Sequence, residues 1–202
     1  MNQQKQAAPN HPIHELIASR WSPYAFTDRL VSDDDLRSLF EAARWAASSY
    51  NEQPWRYIVA TKAEPNEFKR LLACLVEANQ SWAAAAPVLA LGCTCSHFAR
   101  NQKPNAAAEH DLGLASANLT LEATARGLFV HQMIGILPDR ARELYAIPDD
   151  VQPLTALAIG YAAEPNALPE KYQERDLSPR PRKPLREFVF SGRWESASSL
   201  SK

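Results

Sequence analysis

The sequence predicts one domain in which short helices alternate with a few strands, the strands forming a central sheet covered by helices. Three observations carry that expectation. Residues 87–93 are a continuous apolar run of strand length with no polar alternation, the pattern of a strand buried on both faces. Residues 105–126 form the longest helix candidate, with Ala115, Leu119 and Ala123 on one side and Leu112, Leu114 and Leu121 widening the apolar surface, so this helix asks for partners on more than one side. The body offers only three convincing strands, and a fourth apolar stretch at residues 185–190 comes after a proline-rich tail too open to pack alone.

Taken in order, residues 1–11 are polar and alanine-rich and read as a flexible arm. Ile13, Leu16 and Ile17 then mark the apolar side of a short helix that stops near Arg20, because Pro23 restrains the residues around it. Ser32 and Asp35 match a capping box for a helix carrying Leu36, Leu39, Phe40 and Ala43 to about Trp45. A polar loop ending at Pro54 leads into a strand at 57–60, and a helix is expected over 67–77. After the long helix, Gly127 is the stop, Phe129 opens an extended segment, Pro138 starts a helix with Ala141, Leu144 and Tyr145, and 154–161 is a strand. The last stretch of the tail 163–190 is placed as a strand completing a sheet elsewhere, by exchange with a second subunit or by wrapping its own domain. Residues 191–202 form the end of the chain.

With 22 basic against 23 acidic residues, no global field recruits nucleic acid or an anionic membrane, so any anion site must be local. No stretch reaches the roughly 18–20 apolar residues that cross a bilayer, and the first residues lead into no signal-like run, which points to the cytoplasm. Cys74, Cys93 and Cys95 are odd in number and read as reduced, structural thiols. The five histidines show no metal-ligand spacing, and no Gly-x-Gly-x-x-Gly fingerprint marks a separate dinucleotide domain.

Three places hold candidate chemistry. Arg20 and Ser22 offer a guanidinium and a hydroxyl to one small anion, although an arginine at a helix end facing water fits equally well. Ser48, Ser49, Asn51 and Gln53 put four short polar side chains before Pro54 and Trp55, suited to a flat heteroaromatic ligand or simply to a surface loop. Arg180, Arg182 and Lys183 form an extended basic run, either a solvated tail or the second half of an anion clamp.

Arg20-Trp21-Ser22, the block from Glu41 through Ser48-Ser49-Tyr50-Asn51-Glu52-Gln53-Pro54-Trp55 to Tyr57, Asn79, the run from Glu122 to Leu128, His131-Gln132-Met133-Ile134-Gly135, and Arg180 to Leu185 together resemble the nitroreductase family of flavoproteins, over residues 12–190. The resemblance implies an α+β fold with a mixed or antiparallel central sheet flanked by helices. It also implies a homodimer whose C-terminal strand is exchanged between subunits, with two FMN sites at the interface. By motif, Arg20 and Ser22 hold the phosphate and ribityl end with the Trp21 backbone beside them, and Arg180 and Arg182 close on the phosphate. Ser48, Ser49 and Asn51 come from the opposite subunit, Asn79 bonds the polar edge of the ring, and Gln132, Met133, Ile134 and Gly135 supply backbone contacts near the flavin N5. His131 lies in that segment as a candidate for substrate contact.

Two positions depart from the family pattern. Tyr24 stands two residues after the serine where a second basic residue is usual, a loss worth about 1–2 kcal/mol of FMN affinity unless Arg180, Arg182 or Lys183 compensates. Trp82 stands where a lysine near the ring is found in some members. The implied reaction is transfer of electrons from NADH or NADPH through FMN to a small-molecule electron acceptor, nitroaromatic, quinone or similar, with ping-pong kinetics and no catalytic side chain. Dehydrogenation, dehalogenation or alkene reduction on the same fold, and a dimeric flavin-binding or regulatory protein with little turnover, are the competing readings.

Overall fold

Leu89, Ala90 and Leu91 have no exposed surface, and they occupy the middle of strand β2 (Val88–Cys95). The computed structural model describes residues 5–201 and centres on one four-stranded antiparallel sheet in the order β1-β2-β4-β3. The other strands are β1 (Trp55–Thr61), β3 (Phe129–Met133) and β4 (Val151–Gly160). Period-two alternation divides the central strands between two cores. Leu89 and Leu91 of β2 join Ala156 and Ala158 of β4 in a cluster with Phe68, Leu71, Leu75 and Trp82. Val88 and Ala90 join Leu157 and Ile159 in a second cluster with Leu39, Ala115 and Leu119. Burial on both faces is why residues 87–93 show no alternation.

The helices are set by these two faces. Helix α1 (Glu15–Ser19) is short and ends at Arg20. Helix α2 (Asp33–Arg44) starts at Ser32, whose hydroxyl accepts from Asp35 N (3.1 Å) and donates to its carboxylate (2.7 Å). Helix α5 (Ala108–Ala125) lies against the sheet and against α2 and α1. Its start falls three residues beyond the expected Asn105, because the Asn105 side chain accepts from Ala107 N (3.1 Å) and opens the turn instead. Helix α6 (Pro138–Tyr145) begins on its proline.

Four expectations need correction. The helix expected over 67–77 is two, α3 (Pro65–Leu72) and α4 (Glu77–Ala83), because the buried Cys74 and Leu75 between them turn their backbone to residues 136 and 137. Strand β4 begins at Val151, ahead of Pro153, since the proline sits where the register with β2 shifts between Gly92 and Cys93 and its missing N–H is tolerated. The tail carries an unforeseen helix, α7 (Glu170–Leu177), which buries Tyr172 and Asp176. Residues 185–190, expected as a strand, hold a 3-10 turn at Leu185–Glu187 and a single bridge from Phe190 to Ala197, so within one chain they add nothing to the sheet. An apolar segment with no sheet edge beside it closes on itself.

Residues 1–4 of the expected arm lie outside the described residues. From Lys5 the segment is held: Lys5 Nζ donates to the carbonyls of Arg175 (2.7 Å) and Ser178 (2.6 Å), and Ala7 N donates to Ala18 O (2.9 Å). Among the described residues no helix is long and apolar enough to cross a membrane.

Gly160 closes β4 against the ring of Pro87. A Cβ there would stand 2.5 and 2.7 Å from Pro87 Cδ and Cγ, two backbone-fixed atoms. Gly160→Ala is therefore expected to lose about 1–3 kcal/mol, read as a lower urea midpoint with an unchanged slope.

Candidate functional site

The residues singled out by sequence fall into two groups at opposite edges of the sheet. The first lies beside β3. Trp21 is buried with its ring edge-on to Phe129 of β3 at 5.6 Å. Arg20 Nη1 donates to Ser22 Oγ at 3.3 Å, so guanidinium and hydroxyl do share one small volume. Arg180 comes back from the tail to the same place. Its Nη2 donates to Ala18 O at 2.6 Å and its Nη1 to Arg20 O, which ties the carboxy-terminal end of α1 to the tail. Arg182 is exposed, its Nη1 donating only to Pro181 O (2.8 Å).

Burial first, and then the Arg182 charge, holds Arg20 below its ordinary value. Burial, then Arg20 and Arg182, does the same to Arg180. Among the described residues no carboxylate pairs with any of the three, and Arg180 Nε is buried with no partner. Clustered cations with a spare buried donor fit an anion such as a phosphate. Arg180 departs from expectation in one respect: two of its donors already serve the backbone of α1, so it builds the site as much as it could line it.

Asn79 and the segment after β3 are also brought together. Asn79 Nδ2 donates to Gly135 O at 3.0 Å, and a Cβ at Gly135 would stand 2.4 Å from that nitrogen, so only glycine permits the approach. Ile134 is 87 % exposed at the turn. Met133 is buried, and its carbonyl accepts from Thr155 Oγ1 (3.0 Å). The Gln132 side-chain Nε2 turns to α5, donating to Thr120 Oγ1 (2.9 Å) and Ser116 O (3.3 Å).

The second group sits at the start of β1, on the far edge. Ser48 Oγ accepts from Gln53 N (3.0 Å), and Gln53 Nε2 donates to Asn51 Oδ1 (3.2 Å). Tyr50, Asn51 and Gln53 all have positive φ, at 53°, 56° and 52°, which non-glycine residues adopt at a cost of order 1 kcal/mol each and which marks a constrained loop. Two strands, β2 and β4, separate the groups across the sheet, and β4 from Gln152 to Gly160 separates them along it. At about 4.8 Å per strand and 3.3 Å per residue, that is on the order of 30 Å. Two open, shallow depressions lie at neither group but between α2 and α5, beside Ala42, Trp45 and Glu122.

Sequence reasoning missed the side chains that hold both groups in place. Asp176, 2 % exposed, accepts from Tyr24 N (2.9 and 3.1 Å) and Ala25 N (3.0 Å), fixing the loop after Ser22. Asp111, equally buried, accepts from Ser49 N (2.9 Å) and contacts His110 Nδ1 (3.2 Å), fixing the loop at β1. Neither has a local motif; their partners are 152 and 62 residues distant. The capping signals that could have hinted at Asp111, an acid in the first turn of α5, apply to many surface acids as well.

Tyr24 and Trp82, the two departures from the family pattern, both pack inward. Trp82 is 1 % exposed in the core and cannot touch a ligand at the surface. Tyr24 stacks on Tyr172 (5.0 Å) and meets Trp82 (5.0 Å) and His131 (4.5 Å) edge-on, while Arg175 Nη1 donates to its hydroxyl (3.1 Å). His131 completes this aromatic cluster, its ring 4.3 Å from Trp82. Its Nδ1 lies 2.8 Å from Pro23 O, and since a carbonyl only accepts, Nδ1 carries the proton.

Burial pushes the His131 imidazole below its usual 6.5, against the Pro23 hydrogen bond and with the Arg175 charge. The unfolded chain therefore binds the proton more readily. The stability His131 contributes is complete above about pH 6.5 and is lost as pH falls toward its depressed folded value. Replacing it by Gln should flatten the fall in stability on acidification from pH 7 to 5, by up to about 1.4 kcal/mol per pH unit. Chemical denaturation of both proteins across that range checks this, and parallel curves would contradict it.

Comparison with known proteins bears on the fold and the family. The family model for the nitroreductase family matches residues 17–161. A crystal structure of an oxidoreductase containing FMN superposes with a TM-score of 0.90 at 33 % identity, covering 97 % of this chain and 99 % of that one. A nitroreductase family protein from Clostridium difficile superposes at 0.66 with 25 % identity, covering 88 % and 96 %. A relative from Methanothermobacter thermautotrophicus, named provisionally as an NADH dehydrogenase/NAD(P)H nitroreductase, is 30 % identical over 75 % of this chain and 78 % of its own length. With its four-stranded antiparallel sheet flanked by helices, this chain belongs to the nitroreductase family and has the fold of its FMN-dependent oxidoreductases.

Proposed function

We propose that the protein is an FMN-dependent oxidoreductase that acts as a homodimer, taking electrons from NADH or NADPH and giving them to a nitroaromatic, quinone or similarly activated small molecule. The observation that carries this reading is the split site: a cationic, phosphate-suited group at the β3 edge and a constrained serine-asparagine loop at the β1 edge, on the order of 30 Å apart in one protomer. Two copies related by a two-fold axis bring the β1 loop of one to the β3 edge of the other, twice over.

The surface for that pairing is apolar. Ile13 (45 %) just before α1, Ile17 (50 %) on α1 and Trp45 (74 %) at the end of α2 are exposed, as are Gly113 and Ala117 of α5. Exchange of the tail beyond Pro184 would cover Phe188 and Trp194, 57 % and 81 % exposed in the single chain.

Bound FMN would supply two-electron redox chemistry between the nicotinamide and the acceptor. The chain's own residues bind and orient. Arg20 and Ser22 hold the phosphate end, with Arg180 and Arg182 adding positive potential. Ser48, Ser49 and Asn51 reach it from the other subunit. Asn79 has one oxygen and one N–H left beyond its Gly135 bond for the polar edge of the ring, and the free edge of β3 with Ile134 and Gly135 offers backbone groups. His131, with Nδ1 committed to Pro23, supports the aromatic wall beside this edge. One pocket serving donor and acceptor in turn gives ping-pong kinetics, seen as parallel double-reciprocal lines.

The protein should purify yellow and be bleached by NADH or NADPH. Arg20→Ala should weaken FMN binding about five- to thirty-fold, the loss of one charge-assisted bond, measured by fluorescence titration of the flavin-stripped protein. Ile17→Glu should shift the dimer toward monomer in sedimentation and release FMN with it. A colourless protein that takes up no added FMN, or a monomer that keeps full affinity, would sink the reading.

A further inference from the structure

A cationic aromatic lip stands beside the β1 loop. Tyr50, held at φ 53°, is 75 % exposed. The Arg100 guanidinium lies 4.2 Å from its ring centroid and 5.3 Å from that of Phe98, and Phe98 meets Tyr50 edge-on at 5.8 Å. Arg100 belongs to the connection between β2 and α5, which is closed on itself: Phe98 N donates to Lys103 O (2.9 Å), Gln102 N to Phe98 O (2.8 Å), and His97 pairs with Pro104. This connection is fastened to the β1 loop by Ala99 N, which donates to Glu52 Oε1 at 2.7 Å.

Residues 96–104 carry two positive side chains, Arg100 and Lys103, and no acidic one. Both are exposed, and among the described residues neither has a carboxylate within ion-pair distance. Glu52, the nearby acid, spends one oxygen on Ala99. A rigid exposed aromatic face with a stacked guanidinium is a surface on which a purine can stack, and two unpaired cations on one closed turn suit a phosphate dianion.

The geometry points to this lip as the binding site for the 2′-phosphoadenosine end of NADPH, which makes the enzyme select NADPH over NADH. The inference rests on the NAD(P)H-dependent reading above. It adds the nucleotide and the residues that choose it: Tyr50 as the stacking platform, braced by Phe98, and Arg100 with Lys103 for the 2′-phosphate. NADH has no group for those two cations. The lip sits on the same loop as Ser48, Ser49 and Asn51, so it lies at the rim of the site that loop lines, with the nicotinamide end free to enter.

Two measurements on the purified holoprotein test it. Calorimetric titration with adenosine 2′,5′-bisphosphate and with 5′-AMP should show the bisphosphate binding about tenfold or more tightly, as one or two charge-assisted bonds give, and Arg100→Ala/Lys103→Ala should erase the difference. Steady-state kinetics of the same variant should show the ratio of kcat/KM for NADPH to that for NADH falling about tenfold. Arg100→Lys, keeping the charge but not the stacked plane, should retain part of the preference. Equal binding of the two nucleotides by the unaltered protein overturns the proposal, as does a preference that survives the double substitution or a loss shared equally by NADPH and NADH, which would assign the cations to an anionic acceptor. A protein that binds no flavin refutes the redox reading separately, because the bisphosphate titration reads the lip without it.

Discussion

The pairing of β2 with β4 is the constraint on which the rest of the structure depends. Both strands are buried on both faces through their middle residues, so helices must cover each side: α2 and α5 on one, α3 and α4 on the other. With the faces covered, ligand-binding loops are left the edges and ends of the sheet. The short strands β1 and β3 take the edges, and the polar loop before β1 and the Arg20 loop beside the start of β3 end at opposite corners. In the homodimer we propose, the two corners meet across the subunit boundary, and that proposal follows from the apolar composition of two central strands through topology.

What keeps those corners in shape is electrostatic. A buried carboxylate is costly unless N–H donors surround it, and Asp111 and Asp176 each meet that condition with backbone amides of a functional loop. Burial pushes the Asp176 carboxyl up, while the amides of Tyr24 and Ala25 and the charge of Lys5 pull it down. The carboxylate in turn fixes the direction of the chain just after Ser22. Lys5 bonds the last carbonyls of α7 and lies over Trp21, so the amino-terminal segment, the tail and the anion-suited loop form one connected unit.

Most of the sheet, and helix α2, could be read from the sequence because the signals are local: residues 87–93 have no polar alternation, and Ser32 with Asp35 three residues on marks the start of α2. The parts that could not be read depend on distant partners. The break between α3 and α4 is dictated by a backbone pairing of Leu75 with Ile136, and nothing in residues 73–76 resembles a helix stop. Helix α7 lies in a proline-rich tail that looks unfolded until Asp176 finds the Tyr24 and Ala25 amides. The site residues were legible only through their motif order. Their grouping into two corners, the turning of Gln132 toward α5 and the burial of Trp82 all arise from packing.

The three arginines of the β3 corner show how these levels meet. Arg20, Arg180 and Arg182 repel one another, and burial adds to the cost of each of the first two charges. Such an arrangement conflicts with stability, and local conflicts of this kind concentrate at functional sites. It persists because Arg180 is committed to the carbonyls of Ala18 and Arg20 and because α7, locked by Asp176, delivers it there. Tyr24, which fills the place of a further cation in the motif, packs inward on Tyr172 of α7. The residue that lowers the local charge is thus also the one that docks the helix leading to Arg180. The tail brings two arginines to the corner where Tyr24 stands in place of a cation, and that cationic corner is only as well formed as the contact between Tyr24, Asp176 and Tyr172.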